Sequence, residues 1–188
     1  MIRHFYDEQS GGFFDAPKSA TNDGSLGALS APRKPFQDSP TPSGNSSAAI
    51  LLLRMHGYTN ENTYREKAQK TLQIFAGLAE QVGIFAGTYG IAAVHLFRPH
   101  TQVVVIGNDQ TAQHLYAAAI APFALNKSVI RVHNAEGKLP PALAETVPNL
   151  PGVKEGKSVA IICSDFTCQP PITDPDQLAK TLTEVLSR

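Results

Sequence analysis

The sequence predicts a mixed α and α/β fold, in which a helical part is followed by a small, mainly parallel α/β layer. Three observations predict it. Up to Arg98-Pro99-His100 the apolar residues recur at three- and four-residue steps; beyond that point they gather into short β-branched runs; and those runs follow the order strand, helix, strand, strand, helix. Strands in such a layer are covered on both faces.

Residues 1–43 are rich in Gly, Pro, Ser, Asp and Asn and lack helical periodicity, which predicts a loop-rich segment with one brief extended stretch at Gly12-Phe13-Phe14-Asp15. A loop of that length is uncommon inside a compact domain, so it is either functional or the remnant of a larger structure. The helical part, residues 44–98, begins with Ala48, Leu51, Leu52 and Met55 on one face, Ser43 or Asn45 as N-cap and Gly57 as stop. A second helix is predicted from Glu61 to Val82, where Tyr64, Ala68, Leu72, Phe75, Ala76 and Ala79 form one stripe, and Gly83 ends it. A third, Phe85 to Phe97, carries Tyr89, Ala92, Ala93 and Leu96 with only His95 as a polar interruption. It therefore reads as buried on most sides, and Pro99 stops it.

In residues 99–188, Thr101 to Gly107 is a continuous apolar strand and Asp109 to Ala121 a helix with Ala112, Leu115, Tyr116 and Ala119 inward. Ser128–Val132 and Lys157–Cys163 are the next strands. Asp174-Pro175 opens a last helix that ends at Leu186, with Leu178, Leu182 and Val185 inward.

Composition sets bounds on function. The 188 residues are 42% hydrophobic, enough for one ordinary domain or two small ones, and sixteen basic residues balance sixteen acidic ones. With no net field, neither nucleic acid nor an anionic membrane is an expected partner. The longest apolar run, Ala48 to Leu53, falls far short of the roughly 18 to 20 residues that span a bilayer. Met1 to Ser10 shows no secretion pattern, so an intracellular, cytoplasmic protein is expected. On that expectation the matches at Asn45-Ser-Ser and Asn126-Lys-Ser to the glycosylation pattern read as chance.

Four phrases occur in order along nearly the whole chain: Gly11-Gly-Phe-Phe-Asp15, Pro40-Thr-Pro-Ser-Gly-Asn-Ser46, Tyr64-Arg-Glu-Lys-Ala68 and Cys163-Ser-Asp-Phe-Thr-Cys-Gln-Pro-Pro171. Together they resemble the C-terminal part of the spermatogenesis-associated 20-like, thioredoxin-domain-containing family. Full-length members carry a thioredoxin-like domain, then a helical toroid similar to six-hairpin glycosidases. The resemblance implies that the three helices here are a remnant of an (α/α) toroid whose greater part, with the thioredoxin-like domain, lies upstream as a partner. It also implies carbohydrate binding or processing in the full-length protein, with a small sugar as ligand. The alternatives are a redox-linked protein whose α/β tail docks the thioredoxin-like domain, and a chain with no activity of its own.

The Pro40 to Ser46 loop is the best candidate ligand site, because Ser43, Gly44, Asn45 and Ser46 bring free N–H groups, hydroxyls and an amide to a helix start. Helix capping by Ser43 and Asn45 is the competing reading. By the resemblance to toroids, Asp15, Asn45 and Tyr89 are expected to face the pore. Glycoside hydrolysis needs two carboxyl groups about 5 to 10 Å apart; Asp7, Glu8, Asp15, Asp23, Asp38 and Glu80 are present, and no spacing singles out a pair. Cys163 and Cys168 are separated by four residues, unlike the two of a thioredoxin motif. Structural thiols, a switchable disulfide and metal binding stay open, in that order, although without paired histidines zinc is disfavoured. The turn Gly107-Asn-Asp-Gln lacks the three-glycine fingerprint of a dinucleotide site, and His95 reads as a hydrogen-bonded core residue. No cofactor and no metal are expected.

Overall fold

The first long helix begins where a serine can cap it. In the computed structural model, which describes residues 1–17, 31–134, 139, 141, 143–144, 146–164 and 167–187, the Ser43 hydroxyl accepts the Ser46 N–H at 3.1 Å. Helix α2 (Gly44–Thr59) follows, after a short α1 (Ile2–Phe5) in the segment read from sequence as loop. Gly57 does not stop α2. The chain leaves the helix at Asn60, which takes the left-handed conformation at φ 59°, a position that asparagine tolerates and that closes a helix as glycine does. One glycine inside a helix costs only about 1 kcal/mol, which the packing of Ala48, Ala49, Leu52 and Leu53 outweighs.

Two compact units divide the chain, residues 1–56 with 61–97, and residues 57–60 with 98–188. In the first, Tyr6 and Phe13 bridge as antiparallel partners and meet edge-to-face at 5.0 Å. The turn between them needs Gly11 and Gly12 at φ 81° and 78°, where a side chain is strained; a Cβ on Gly12 would also lie 2.6 Å from Ile74 Cδ1. The predicted helix from Glu61 to Val82 is two helices, α3 (Asn62–Gln73) and α4 (Ala76–Val82). The stripe does not continue because Phe75 turns inward to stack on Phe36 at 4.7 Å, and the Phe75 N–H shortens the ladder by bonding Leu72 O. Gly83 ends α4 at φ 56°, and a 3₁₀ turn (Gly83–Ala86) leads into α5 (Gly87–Phe97).

Helix α5 is not buried on most sides. Ala92, His95 and Leu96 face the core with Tyr6, Leu52, Ala68 and Leu72, whereas Ile91, Val94 and Phe97 are exposed, as are Leu78, Ile84 and Phe85 before it. Small residues on one stripe let the helix pack closely there without enclosing the rest.

The second unit is a four-stranded sheet in the order β2-β1-β3-β4, from β1 (Thr101–Ile106), β2 (Lys127–Val132), β3 (Val159–Ser164) and β4 (Thr167–Cys168). Only β1 and β2 are parallel. β3 runs antiparallel to β1, so the sheet is mixed and not mainly parallel. Register gives the reason: Val132 and Val159 both pair with Ile106, so the chain leaves β2 and enters β3 at the same end and has no need to cross the sheet. Helices α6 (Gln110–Ile120) and α7 (Pro175–Leu186), capped by Asp109 and Asp174, cover one face through Ala112, Leu115, Ala119, Leu178 and Leu182. Leu143, Val147 and Val153 cover the other, against Val104, Ile106, Val159 and Ile161.

Candidate functional site

At the α2 start the Ser43, Asn45 and Ser46 side chains have protein partners. Asn45 is 1% exposed; its Nδ2 donates to Phe13 O at 2.9 Å and Pro35 O at 2.8 Å, and its Oδ1 accepts the Phe13 N–H at 2.6 Å. Asn45 is therefore not the N-cap; it fastens the preceding loop to the helix. Ser43 and Ser46 are buried and joined at 2.8 Å between hydroxyls. Gly44 is exposed, with open space where a side chain would be. Asp15 is exposed and closes a loop staple, accepting the Arg33 N–H at 3.0 Å. The Tyr89 hydroxyl donates to Leu72 O at 3.1 Å, and burial raises its pKa.

The described loop-region carboxylates are likewise engaged. Asp38 accepts the Ser43 and Thr88 N–H groups at 2.8 and 2.7 Å; burial pushes its pKa up, but those bonds outweigh it and the net shift is downward. Glu8 pairs with Lys67 at 2.7 Å, Glu80 is exposed, and Asp23 lies outside the described residues. Asp7 pairs with Lys34 at 2.8 Å and bonds Ser10, and these, Lys34 first, hold its carboxyl well below its ordinary value of 3.8. A folded pKa below the unfolded one means stabilisation that is present above the unfolded value and lost as pH falls through the folded one. Asp7→Asn is expected to cost about 1–2 kcal/mol at pH 7, with the difference from wild type shrinking as pH falls below about 4 in urea melts.

In the second unit β3 and β4 place Cys163 directly opposite Cys168, and the two form a disulfide with Cα atoms 4.0 Å apart. They are thus not two free thiols: the hairpin register, set by a two-residue strand too short to read from sequence, brings them together. Cys163 is buried and Cys168 half-buried. Beside Cys168 lies an open cavity of about 480 Å³, lined by Leu150, Pro151, Val159, Pro170 and Pro171, with Glu155 and Lys157, ion-paired at 2.6 Å, also on its wall.

Sequence reasoning missed what surrounds this pair. Register carries one rung across all four strands: Ser128 on β2, Gln102 on β1, Cys163 on β3 and Cys168 on β4. His100 Nε2 lies 2.9 Å from Ser128 Oγ. The next rungs on the same face are aliphatic, Ile130–Val104–Ile161 and Val132–Ile106–Val159. Gln102 is 4% exposed and its Nε2 has no hydrogen-bond partner among the described residues, which costs about 1–3 kcal/mol when a donor is buried. The one signal in the sequence was the glutamine inside an otherwise apolar run.

Among the described residues no three His, Cys, Asp or Glu side chains cluster as a metal site. No single described helix is long and apolar enough to cross a membrane; one bent pair, Asn62–Gln73 with Ala76–Phe97, passes by length and composition alone across a 51° break.

No known family profile matches the chain. No solved structure matches it either. Spermatogenesis-associated protein 20 of Homo sapiens is 30% identical over 183 residues, that of Rattus norvegicus 28% over 182 and that of Mus musculus 27% over 183, in each case 95% of this chain. The chain spans 22% of the length of these relatives. Similarity that extends along almost the whole chain to three relatives of one name supports its assignment to the spermatogenesis-associated protein 20-like family.

Proposed function

We propose that the second unit is a thiol–disulfide module of a redox-linked protein. The observation that carries this reading is the Cys163–Cys168 disulfide, whose half-buried sulfur-bearing residue, Cys168, lines an open apolar cavity. An accessible disulfide is open to attack by a thiolate, whereas one sealed in a core is inert. The exchange partner proposed is a thioredoxin-like domain of the kind that the family resemblance implies. Treating the folded chain with dithiothreitol and trapping free thiols for mass spectrometry tests it. Two alkylated cysteines, lost again on reoxidation without unfolding, are the expected result; a disulfide that resists native reduction, or reduces only with global unfolding, sinks the reading. Because the bridge closes a very short loop, opening it is expected to lower the urea-unfolding free energy by about 2 kcal/mol.

The toroid reading of the first unit has one support: Leu78, Ile84, Phe85, Ile91 and Val94 are exposed, as apolar helix faces are when further helices belong against them. Carbohydrate binding at Ser43–Ser46 is the weaker reading, since the buried Ser43, Asn45 and Ser46 side chains already bond to protein. Titration of mono- and disaccharides into the full-length relative is its test, and absence of saturable binding ends it.

A further inference from the structure

We propose that Gln102 is the built-in hydrogen-bond donor for a Cys163 leaving thiolate, so that the Ser128–Gln102–Cys163–Cys168 rung is a thiol–disulfide exchange site for a small dithiol or a dithiol protein. The inference rests on the thiol–disulfide reading above and adds the group that would drive it. Four observations meet here. Gln102 is directly opposite Cys163 on antiparallel strands, which sets their Cβ atoms about 4.5–5.5 Å apart, within reach of a glutamine amide. Strand alternation turns both toward the face that holds Val104, Ile161 and Cys163. Gln102 Nε2 is buried and, among the described residues, unpartnered in the disulfide form. The cavity reaches Cys168, not Cys163, so the two sulfurs differ in access.

A buried donor left unpaired is unfavourable in the oxidised protein, and a thiolate formed beside it satisfies it. The step follows from access. A thiolate of the dithiol attacks Cys168 Sγ through the cavity; the Cys163–Cys168 bond breaks, a mixed disulfide to Cys168 forms, and Cys163 departs with the electron pair as a thiolate that accepts the Gln102 N–H. The second thiol of the donor, deprotonated, then attacks its own sulfur in the mixed disulfide and releases Cys168. The dithiol is oxidised by two electrons to a disulfide, the cystine is reduced to two cysteines, and the two protons from the dithiol end on Cys163 and Cys168. A leaving thiol of lower pKa departs faster, so the amide accelerates the first step.

Among the described residues the titratable groups around the rung are His100, bonded to Ser128, and Glu155 and Lys157 on the cavity wall; the buried residues clustered with Cys163 are aliphatic. A hydrogen bond to a thiolate in that setting is expected to be worth about tenfold in its ionisation.

The experiment uses the 188-residue chain with Gln102→Leu and the near-isosteric Gln102→Met. Three quantities are read: the rate of reduction by dithiothreitol, the Cys163 thiol pKa by absorbance at varying pH in a Cys168→Ser background, and the urea midpoint of the oxidised protein. Expected in both variants are a reduction rate and a Cys163 acidity each lowered about tenfold, with the oxidised protein as stable as wild type or more so. That opposite movement is what a merely structural glutamine does not give. Wild-type protein that reduces reversibly while either folded variant matches it in rate and pKa overturns the role of Gln102 alone. Wild-type protein that cannot be reduced while folded overturns the thiol–disulfide reading itself.

Discussion

Replacing Asn45 by alanine is expected to lower the unfolding free energy by about 3 kcal/mol, because it strands three backbone groups that lie in or against the core. The Asn45 amide accepts from Phe13 N–H and donates to the Phe13 and Pro35 carbonyls, so a single side chain ties residues 13 and 35 to the first turn of α2. Phe13 is itself buried and packs on Tyr6, so the loss propagates into the cluster with Leu52 and Leu72. Asn45→Asp is the sharper variant. It keeps an acceptor for Phe13 N–H but removes both donors and buries a charge against two carbonyl oxygens, so it is expected to destabilise at least as much as alanine. Urea unfolding gives the free energies, and amide exchange at Phe13 gives the local effect. A loss below 1 kcal/mol, with Phe13 still protected, contradicts the fastening role.

Leu115→Ala is expected to cost about 3–4 kcal/mol, in the range of a fully buried leucine whose surroundings cannot collapse. Leu115 has no exposed surface and sits on α6 between Leu178 and Leu182 of α7 and the strand residues Val103, Val105, Ala160 and Ile162. Strands on one side and a second helix on the other leave nothing free to move into the space. Leu115→Met is the control, because it nearly conserves volume and is expected to cost under 1.5 kcal/mol. Equal losses in the two variants would argue that the site tolerates rearrangement and that the α6–α7 layer is loosely packed.

Local signals carried most of the second unit. The apolar run at Thr101–Ile106 reads as a strand buried on both faces, and all six of its residues are buried. Helix starts read at Asp109 and at Asp174-Pro175, and there the Asp109 and Asp174 carboxylates accept the Ala112 and Asp176 N–H groups at 2.8 and 3.1 Å. Caps and hydrophobic period act over three or four residues, so the sequence displays them directly. The break at Ile74–Phe75 was not legible because it depends on Phe36, distant in sequence, which Phe75 stacks against. The exposed flank of α5 was not legible either: Ile91 and Val94 are apolar whether or not a neighbour covers them.

The candidate site divides along the same line. Position alone offered both Ser43 and Asn45 as the cap and could not choose between them, because the partners that take Asn45 away from capping, Phe13 and Pro35, come from the preceding loop. Cys163 and Cys168 were visible as a pair, but their S–S bond depends on the β3–β4 register. Gln102 was visible only as one polar residue in an apolar strand.

By itself, then, the sequence pointed to the family and displayed the helix starts at Asp109 and Asp174-Pro175, the inward stripes of α6 and α7 and the change from helical to strand-forming composition near Arg98, since each is written in a window of a few residues or in whole-chain similarity. Only the tertiary structure decided the antiparallel direction of β3, the disulfide, and the rung that sets Gln102 beside Cys163. Strand direction and register come from which residues distant in sequence bury one another, and a one-residue slip would turn the entire rung to the opposite face.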